Sequence, residues 1–252
     1  MAIDIPNESA IPAATVVLMR DGWPAPELLM VERAPAMRFA AGALVFPGGR
    51  VDPGDHALAG ALGAARPDEA AHRIAAIREA IEEVGVAPGV DVAADRIAPM
   101  RAALHAGAPL GHALEQVGAA LRLDALEPFA RWCPDHSLRV FDTRFYLARM
   151  PAGAPEPVVD ASENVRLFWA SARAVLASAD AGEARVIYPT RRNLERLAMF
   201  GTFDEAIAHA RSHPQPTITP WIETRGDGRH LCIPADIGYP VTSEPLDAAM
   251  RG

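Results

Sequence analysis

At roughly 100 to 200 residues per domain, a chain of 252 residues is one large domain or a core with embellishments, and tandem arrays of big modules are excluded. Half of the residues are apolar, 22% are charged and the mean hydropathy is +0.06, a balance that builds a core and excludes a disordered chain. The formal charge of −8 comes without any basic cluster free of nearby acids, which argues against nucleic acid as a partner, and all 24 basic residues are Arg, which excludes P-loop ATPases, pyridoxal-phosphate enzymes, Schiff-base aldolases and Lys-dependent kinases.

The chain opens with MAIDIPNESAIP, acidic and broken by Pro where a secretory leader would be basic and then apolar. No apolar run approaches the ~18 residues that span a bilayer, so no membrane partner is expected. Two cysteines, Cys133 and Cys232, form neither a CxxC pair nor a Cys/His cluster, and a reducing cytoplasm suits them.

Ala13 to Met19 and Leu28 to Glu32 read as two strands of a hairpin around the turn-like DGWPAPE. A short apolar run, ALVF, precedes Pro47-Gly48-Gly49. Helical periodicity runs from Pro67 to Val84, with Asp68 placed to cap the start and Gly85 placed as a left-handed stop. Residues 96–127, rich in Ala and Leu, predict one or two helices. Strands are expected near Pro128 to Cys133 and Arg139 to Arg149, then at NVRLFWA, with SARAVLASA helical. Helices from about Thr190 to Phe200 and Asp204 to Ser212 follow, and the strand-like pieces TITPWIE and HLCIP flank the turn RGDGR. Strands mixed with helices, without regular βαβ alternation, predict an α/β (α+β) fold with a mixed sheet.

Chemistry concentrates in Arg78 to Val86, REAIEEVGV. At 100° per residue, Glu79, Glu82 and Glu83 share an arc of about 100° while Ile74, Ile77, Ile81 and Val84 lie opposite. Like charges at i, i+3 and i+4 weaken a helix by a few tenths of a kcal/mol, so helix stability alone does not explain them. One explanation is a solvated acidic face with Arg78 paired to Glu82. The other is a site for a hard divalent cation such as Mg²⁺, which takes oxygen ligands and completes its shell with water and substrate phosphates.

The run from Phe46 to Asp55, FPGGRVDPGD, followed by REAIEEVGV, resembles the Nudix hydrolase box, G-x5-E-x7-R-E-U-x-E-E-x-G-U with U aliphatic. Gly49 opens it, Asp55 stands at the first Glu, and Arg78, Glu79, Glu82, Glu83, Gly85 and Val86 match the remainder. Two departures stand out: the first Glu is Asp, and 22 residues instead of 7 separate it from Arg78, which places an insertion of 15 residues inside the box. Upstream, Arg33, Ala34, Arg38, Gly42 and Phe46-Pro47-Gly48-Gly49 fall at the spacing of the coenzyme A pattern of Nudix hydrolases, departing mainly at Met30. The runs PFARW, FDTRFYLA and YPT also look like the coenzyme A diphosphatase branch.

The resemblance implies a Nudix-type mixed β-sheet sandwiched between helices, as a single domain over 1–252 with a box insertion near 56–77, a helical insertion near 96–127 and a C-terminal extension near 201–252. The box insertion is expected to be a surface loop with a partial helical turn. It further implies that Glu79, Glu82 and Glu83 bind Mg²⁺ (or Mn²⁺), that the Gly48 carbonyl is an additional ligand, and that Arg78 orients a carboxylate. Phosphoanhydride hydrolysis would follow, with Glu163 as a candidate general base and Arg33, Arg38, Phe46 and Gly49 binding substrate. Asp142 reads as structural. Three functions stay open: cleavage of coenzyme A or acyl-coenzyme A to 3′,5′-ADP and a 4′-phosphopantetheine, cleavage of another nucleoside diphosphate derivative such as ADP-ribose, NADH or a dinucleoside polyphosphate, or a catalytically idle ligand-sensing module. Retention of the three glutamates argues against the last. A homodimer is left open.

Overall fold

The computed structural model describes residues 10–37, 40–134, 140–160, 164–226 and 228–249. Its centre is β1 (Ile11–Arg20), which lies parallel to β8 (Phe141–Arg149) from Ile11 to Met19. On its other side β1 meets β2 (Glu27–Arg33) only at Met19↔Leu28 and Arg20↔Glu27. The expected hairpin is therefore closed near its turn and splayed beyond, and the gap is filled by β4 (Gly48–Arg50), which pairs with Ala13 to Thr15. β2 continues into β3 (Leu44–Val45) and, along most of its length, into β9 (Asn164–Ser171). β7 (Glu127–Trp132) joins β8 antiparallel, and β10 (Thr217–Ile218) closes that edge, parallel to β7. The result is an eight-stranded mixed sheet.

Both faces of this sheet are covered, which is why AATVVLM is a continuous apolar run and not an alternating one. Ala14, Val16 and Leu18 of β1 point into one core, with Ile74, Ile77, Ile81 and Val84 of α2 (Pro67–Val84). Val17 and Met19 point into a second core beneath α5 (Ala172–Asp180), α6 (Tyr188–Leu197) and α7 (Phe203–Ser212). Helices on both sides of a mixed sheet are the fold class expected.

The region 56–77 departs from expectation. Where a surface loop with a partial turn was expected it holds the larger part of a nine-residue helix, α1 (Pro53–Ala61), and after a short connection α2 begins at Pro67, where the helical periodicity places it. Asp68 does not cap α2. Arg66 occupies that position without a side-chain bond, and Asp68 reaches Arg144 of β8 instead. Gly85 does end the helix in the left-handed region, at φ 67°.

Residues 96–127 hold α3 (Ala94–His105) and α4 (Leu110–Val117), with β6 (Ala120–Leu121) returning to pair with β5 (Val90–Asp91). The strand expected at TITPWIE is two strands, broken at Pro220, with β10 in the main sheet and β11 (Trp221–Arg225) in a small one. There β11 pairs with β12 (Gly228–Cys232), and β12 with β13 (Ser243–Pro245), before α8 (Leu246–Ala249). Among the described residues no helix is long and apolar enough to cross a membrane.

Candidate active site

β4 lies so close to β1 on one side and to the last two turns of α2 on the other that only glycine fits at its first two positions. A Cβ on Gly48 would lie 2.6 Å from the Thr15 hydroxyl oxygen, and one on Gly49 would collide with the Glu79 carboxylate. Neither glycine needs an unusual φ. Gly48 supplies close approach to β1, and Gly49 close approach of backbone to acid.

Arg78 organises the acids from beneath, with only 7% of its surface exposed. Its Nε and Nη2 donate to the two oxygens of Asp55 at 3.2 and 3.0 Å, and Nη2 also donates to the Arg50 carbonyl at 2.8 Å. Nη1 donates to Glu79 Oε1 at 2.8 Å and Glu82 Oε2 at 3.0 Å. The planar fork thereby fixes three carboxylates against the β4 backbone. Asp55 also accepts the Asp52 N–H at 2.8 Å, which fastens the start of α1 to the site.

Glu83 faces the other way. It is 5% exposed and accepts the Gly48 N–H at 3.1 Å. Burial, and then the charge of Glu79, pushes its carboxyl up to about 8, against the pull of the Gly48 N–H, Arg33 and Asn164. Glu82 is also raised by burial, against Arg78. Asn164, at the start of β9 and 1% exposed, sets its amide near Glu83, although neither amide atom closes a full hydrogen bond there.

Among the described residues no three His, Cys, Asp or Glu side chains already form a metal cage. The donor chemistry nonetheless fits a hard divalent cation: the donors are carboxylate and backbone oxygens, Glu79 is pressed against Gly49, and Glu83 holds a buried acid whose ionisation an added positive charge would favour. Glu79, Glu82, Glu83 and the Gly48 carbonyl could hold such an ion, with water and phosphate oxygens completing its shell.

Above this cluster opens a cleft of about 720 Å³. Its polar wall is Gly48, Gly49, Arg33, Arg50, Asp52 and Glu79; elsewhere it is lined by Phe46, Trp132, Phe141, Thr143, Phe145, Ile187, Pro189 and Thr190. A mostly apolar cleft with a few convergent charges is the usual form of a small-molecule site.

A solved Nudix hydrolase from Alicyclobacillus acidocaldarius is 30% identical to this chain, with a TM-score of 0.69, over 81% of this chain and 97% of that one. The chain belongs to the Nudix hydrolase family. Two curated relatives, the uncharacterized Nudix hydrolases NudL of Klebsiella aerogenes and of Klebsiella pneumoniae, are each 44% identical over 68 residues. That stretch is 27% of this chain and spans about half (53%) of the first relative and a third (33%) of the second. No protein-family profile matches.

Set against the Nudix resemblance, the structure brings Gly48, Gly49, Arg78, Glu79, Glu82 and Glu83 together, although 22 residues separate Asp55 from Arg78. Arg33 and Phe46 line the same cleft, and Arg33 acts on Glu83 by its charge. Arg38 and Glu163 lie outside the described residues. Asp142 spends its carboxylate on Arg131, at 2.8 and 2.6 Å, which accords with a structural part.

Trp132, Phe141, Thr143, Pro189 and Thr190 were not among the expected site residues, yet the runs PFARW, FDTRF and YPT that hold them converge on the cleft. Asn164 was also missed. Its nearness to Glu83 comes from β9 pairing beside Arg33, which no local pattern encodes.

Proposed function

We propose that this Nudix hydrolase cleaves the phosphoanhydride of coenzyme A or acyl-coenzyme A, in the cytoplasm, to 3′,5′-ADP and the (acyl-)4′-phosphopantetheine. One observation carries the reading: Arg33 and the FPGG turn, both from the coenzyme A-like pattern, line the same cleft as Glu79. Both cysteines are buried thiols, in keeping with a reducing compartment.

Glu79, Glu82, Glu83 and the Gly48 carbonyl would hold Mg²⁺ or Mn²⁺. Such an ion, when bound, neutralises diphosphate charge and lowers the pKa of a water. Arg78 keeps Glu79 and Glu82 aimed at one place, which removes the need to order them when substrate arrives. Arg33, with Arg38, forks onto phosphate oxygens. Gly49 lets the diphosphate approach the backbone, and Phe46 and the aromatic lining give the rest of the substrate an apolar wall. Glu163 precedes Asn164, the residue beside Glu83, and takes the proton of the attacking water.

The test is a substrate panel of coenzyme A, acyl-coenzyme A, ADP-ribose, NADH and dinucleoside polyphosphates, with Mg²⁺ and with EDTA, scored by product identity. Release of 3′,5′-ADP from coenzyme A at the highest kcat/KM, abolished by EDTA, supports the reading. A preference for ADP-ribose or a dinucleotide replaces it, and no turnover of any member overturns it.

A further inference from the structure

The last carbonyls of an α-helix have no partner inside the helix and must find one elsewhere. In α2 these belong to Ile81, Glu82, Glu83 and Val84. The Gly85 N–H takes Ile81 at 3.0 Å and the Val158 N–H takes Val84 at 3.0 Å. The two between are the carbonyls of the glutamates, and both are taken from the helical insertion. Arg101 of α3 donates from Nε to Glu82 O at 2.9 Å and from Nη2 to Glu83 O at 3.2 Å. His105, one turn on, places Nε2 3.1 Å from Glu82 O, and the Asp160 N–H donates to Glu83 O at 2.8 Å. Gly85 is fitted to this contact, because a Cβ there would lie 3.2 Å from Arg101 Nη1, on a backbone already at positive φ.

Holding this turn has a consequence for the acids it carries. Glu79, Glu82 and Glu83 repel one another and favour fraying of the turn. A guanidinium across the carbonyl end opposes fraying twice, by satisfying two acceptors and by placing positive charge at the negative end of the helix dipole. If the turn unwinds, Glu82 and Glu83 no longer share a face with Glu79.

We infer that Arg101, assisted by His105, is a positioning residue for the active-site carboxylates, so that the helical insertion acts on cation binding through the backbone of α2 without touching the ion. This rests on Glu82 and Glu83 being cation ligands, as read above.

The experiment is titration of the intact, metal-free chain with Mn²⁺, followed by the paramagnetic resonance of the free ion, for wild type, Arg101→Ala and Arg101→Lys. Amide hydrogen exchange at Gly85 and Val86 is read in parallel. Arg101→Ala is expected to bind Mn²⁺ about 10- to 100-fold more weakly, the usual scale for losing a residue that orients a ligand, and to exchange those two amides faster. Arg101→Lys, reaching one carbonyl and not two, should recover part of the loss. Faster exchange with unchanged Mn²⁺ affinity makes Arg101 a mere helix cap and overturns the inference. Wild type that fails to take up Mn²⁺ refutes the ligand assignment itself, and the inference falls with it. Should Arg101→Ala not fold, Arg101→Gln, which keeps much of the stem and removes the charge, joins Arg101→Lys in deciding the matter, and unchanged affinity in both is the contrary result.

Discussion

Around Arg78 and around Arg192 charges are withdrawn from water on two sides of the same sheet, and the two clusters are assembled in opposite ways. Around α2, Arg78 and Arg33 are two cations among five acids, Asp52, Asp55, Glu79, Glu82 and Glu83. Arg192 on α6 donates to Glu195 at 2.7 Å and Glu244 at 3.0 Å and lies over the Tyr188 ring. Its neighbour Arg196 donates to the Phe129 carbonyl at 2.8 Å and covers the Phe129 and Tyr239 rings. Arg191 also reaches Glu195, at 3.3 Å, so Arg191 and Arg192 match Glu195 and Glu244 in charge. The first has more acids than cations, and burial, then the charge of Glu79, raises Glu83 to about 8, an arrangement that makes sense where a cation is supplied from outside.

Breaking the balanced cluster should have the largest effect on stability. Arg192→Ala leaves the part-buried Glu244 without its cation and Glu195 with Arg191 alone, and should cost about 3 to 5 kcal/mol in chemical denaturation. The kcat/KM of the folded fraction should stay close to wild type.

The acid-rich cluster should respond in the reverse sense. Glu82→Gln and Glu83→Gln should keep the fold and lose at least about 10²-fold in turnover. A carboxyl whose folded pKa lies above its unfolded value binds more protons when folded, so its effect on stability is felt as pH rises from about 4.5 to about 8. Over that window the metal-free wild type should lose stability, and Glu83→Gln should lose less, as thermal melts at each pH would show.

Arg33→Ala and Arg38→Ala should impair coenzyme A substrates more than ADP-ribose, by about 10- to 150-fold in kcat/KM, corresponding to ~1.5 to 3 kcal/mol for a lost charge-assisted contact. Equal losses on both would assign these arginines to the shared diphosphate.

The smallest effect concerns the rim of the balanced side. His209 stacks on His213 at 4.1 Å, and burial, then Arg196 and His213, hold its imidazole down at about 4. The unfolded chain then binds the extra proton, so stability should fall as pH drops from about 6.5 toward 4. His209→Gln should flatten that slope in the melting temperature.

Much of this was legible in the residues, and the reasons differ from place to place. Gly85 stops α2 because glycine, lacking a Cβ, takes φ 67° without steric cost, and the isoleucine stripe fixes which face of α2 meets the sheet. The conjunction of Gly49 with Glu79 follows from motif spacing even across an insertion. Asp68 was misread as a cap because the competing partner, Arg144, is brought by a strand distant in sequence. The helix at Pro53–Ala61 was missed because Gly54 and Gly60 weaken its local signal, while packing of Ala59 beneath α2 supplies what propensity does not. Asn164 and Arg101 could not be read at all, since each meets Glu83 through strand pairing or the packing of an insertion.

The excess of acid around Arg78 is tested most directly by calorimetric titration of Mn²⁺ into the metal-free chain, wild type beside Glu82→Gln and Glu83→Gln. Saturable binding in wild type, weakened in both variants while their folds remain intact, is the expected result. Absence of binding in wild type, or equal binding in all three chains, would contradict a cation site built on these carboxylates.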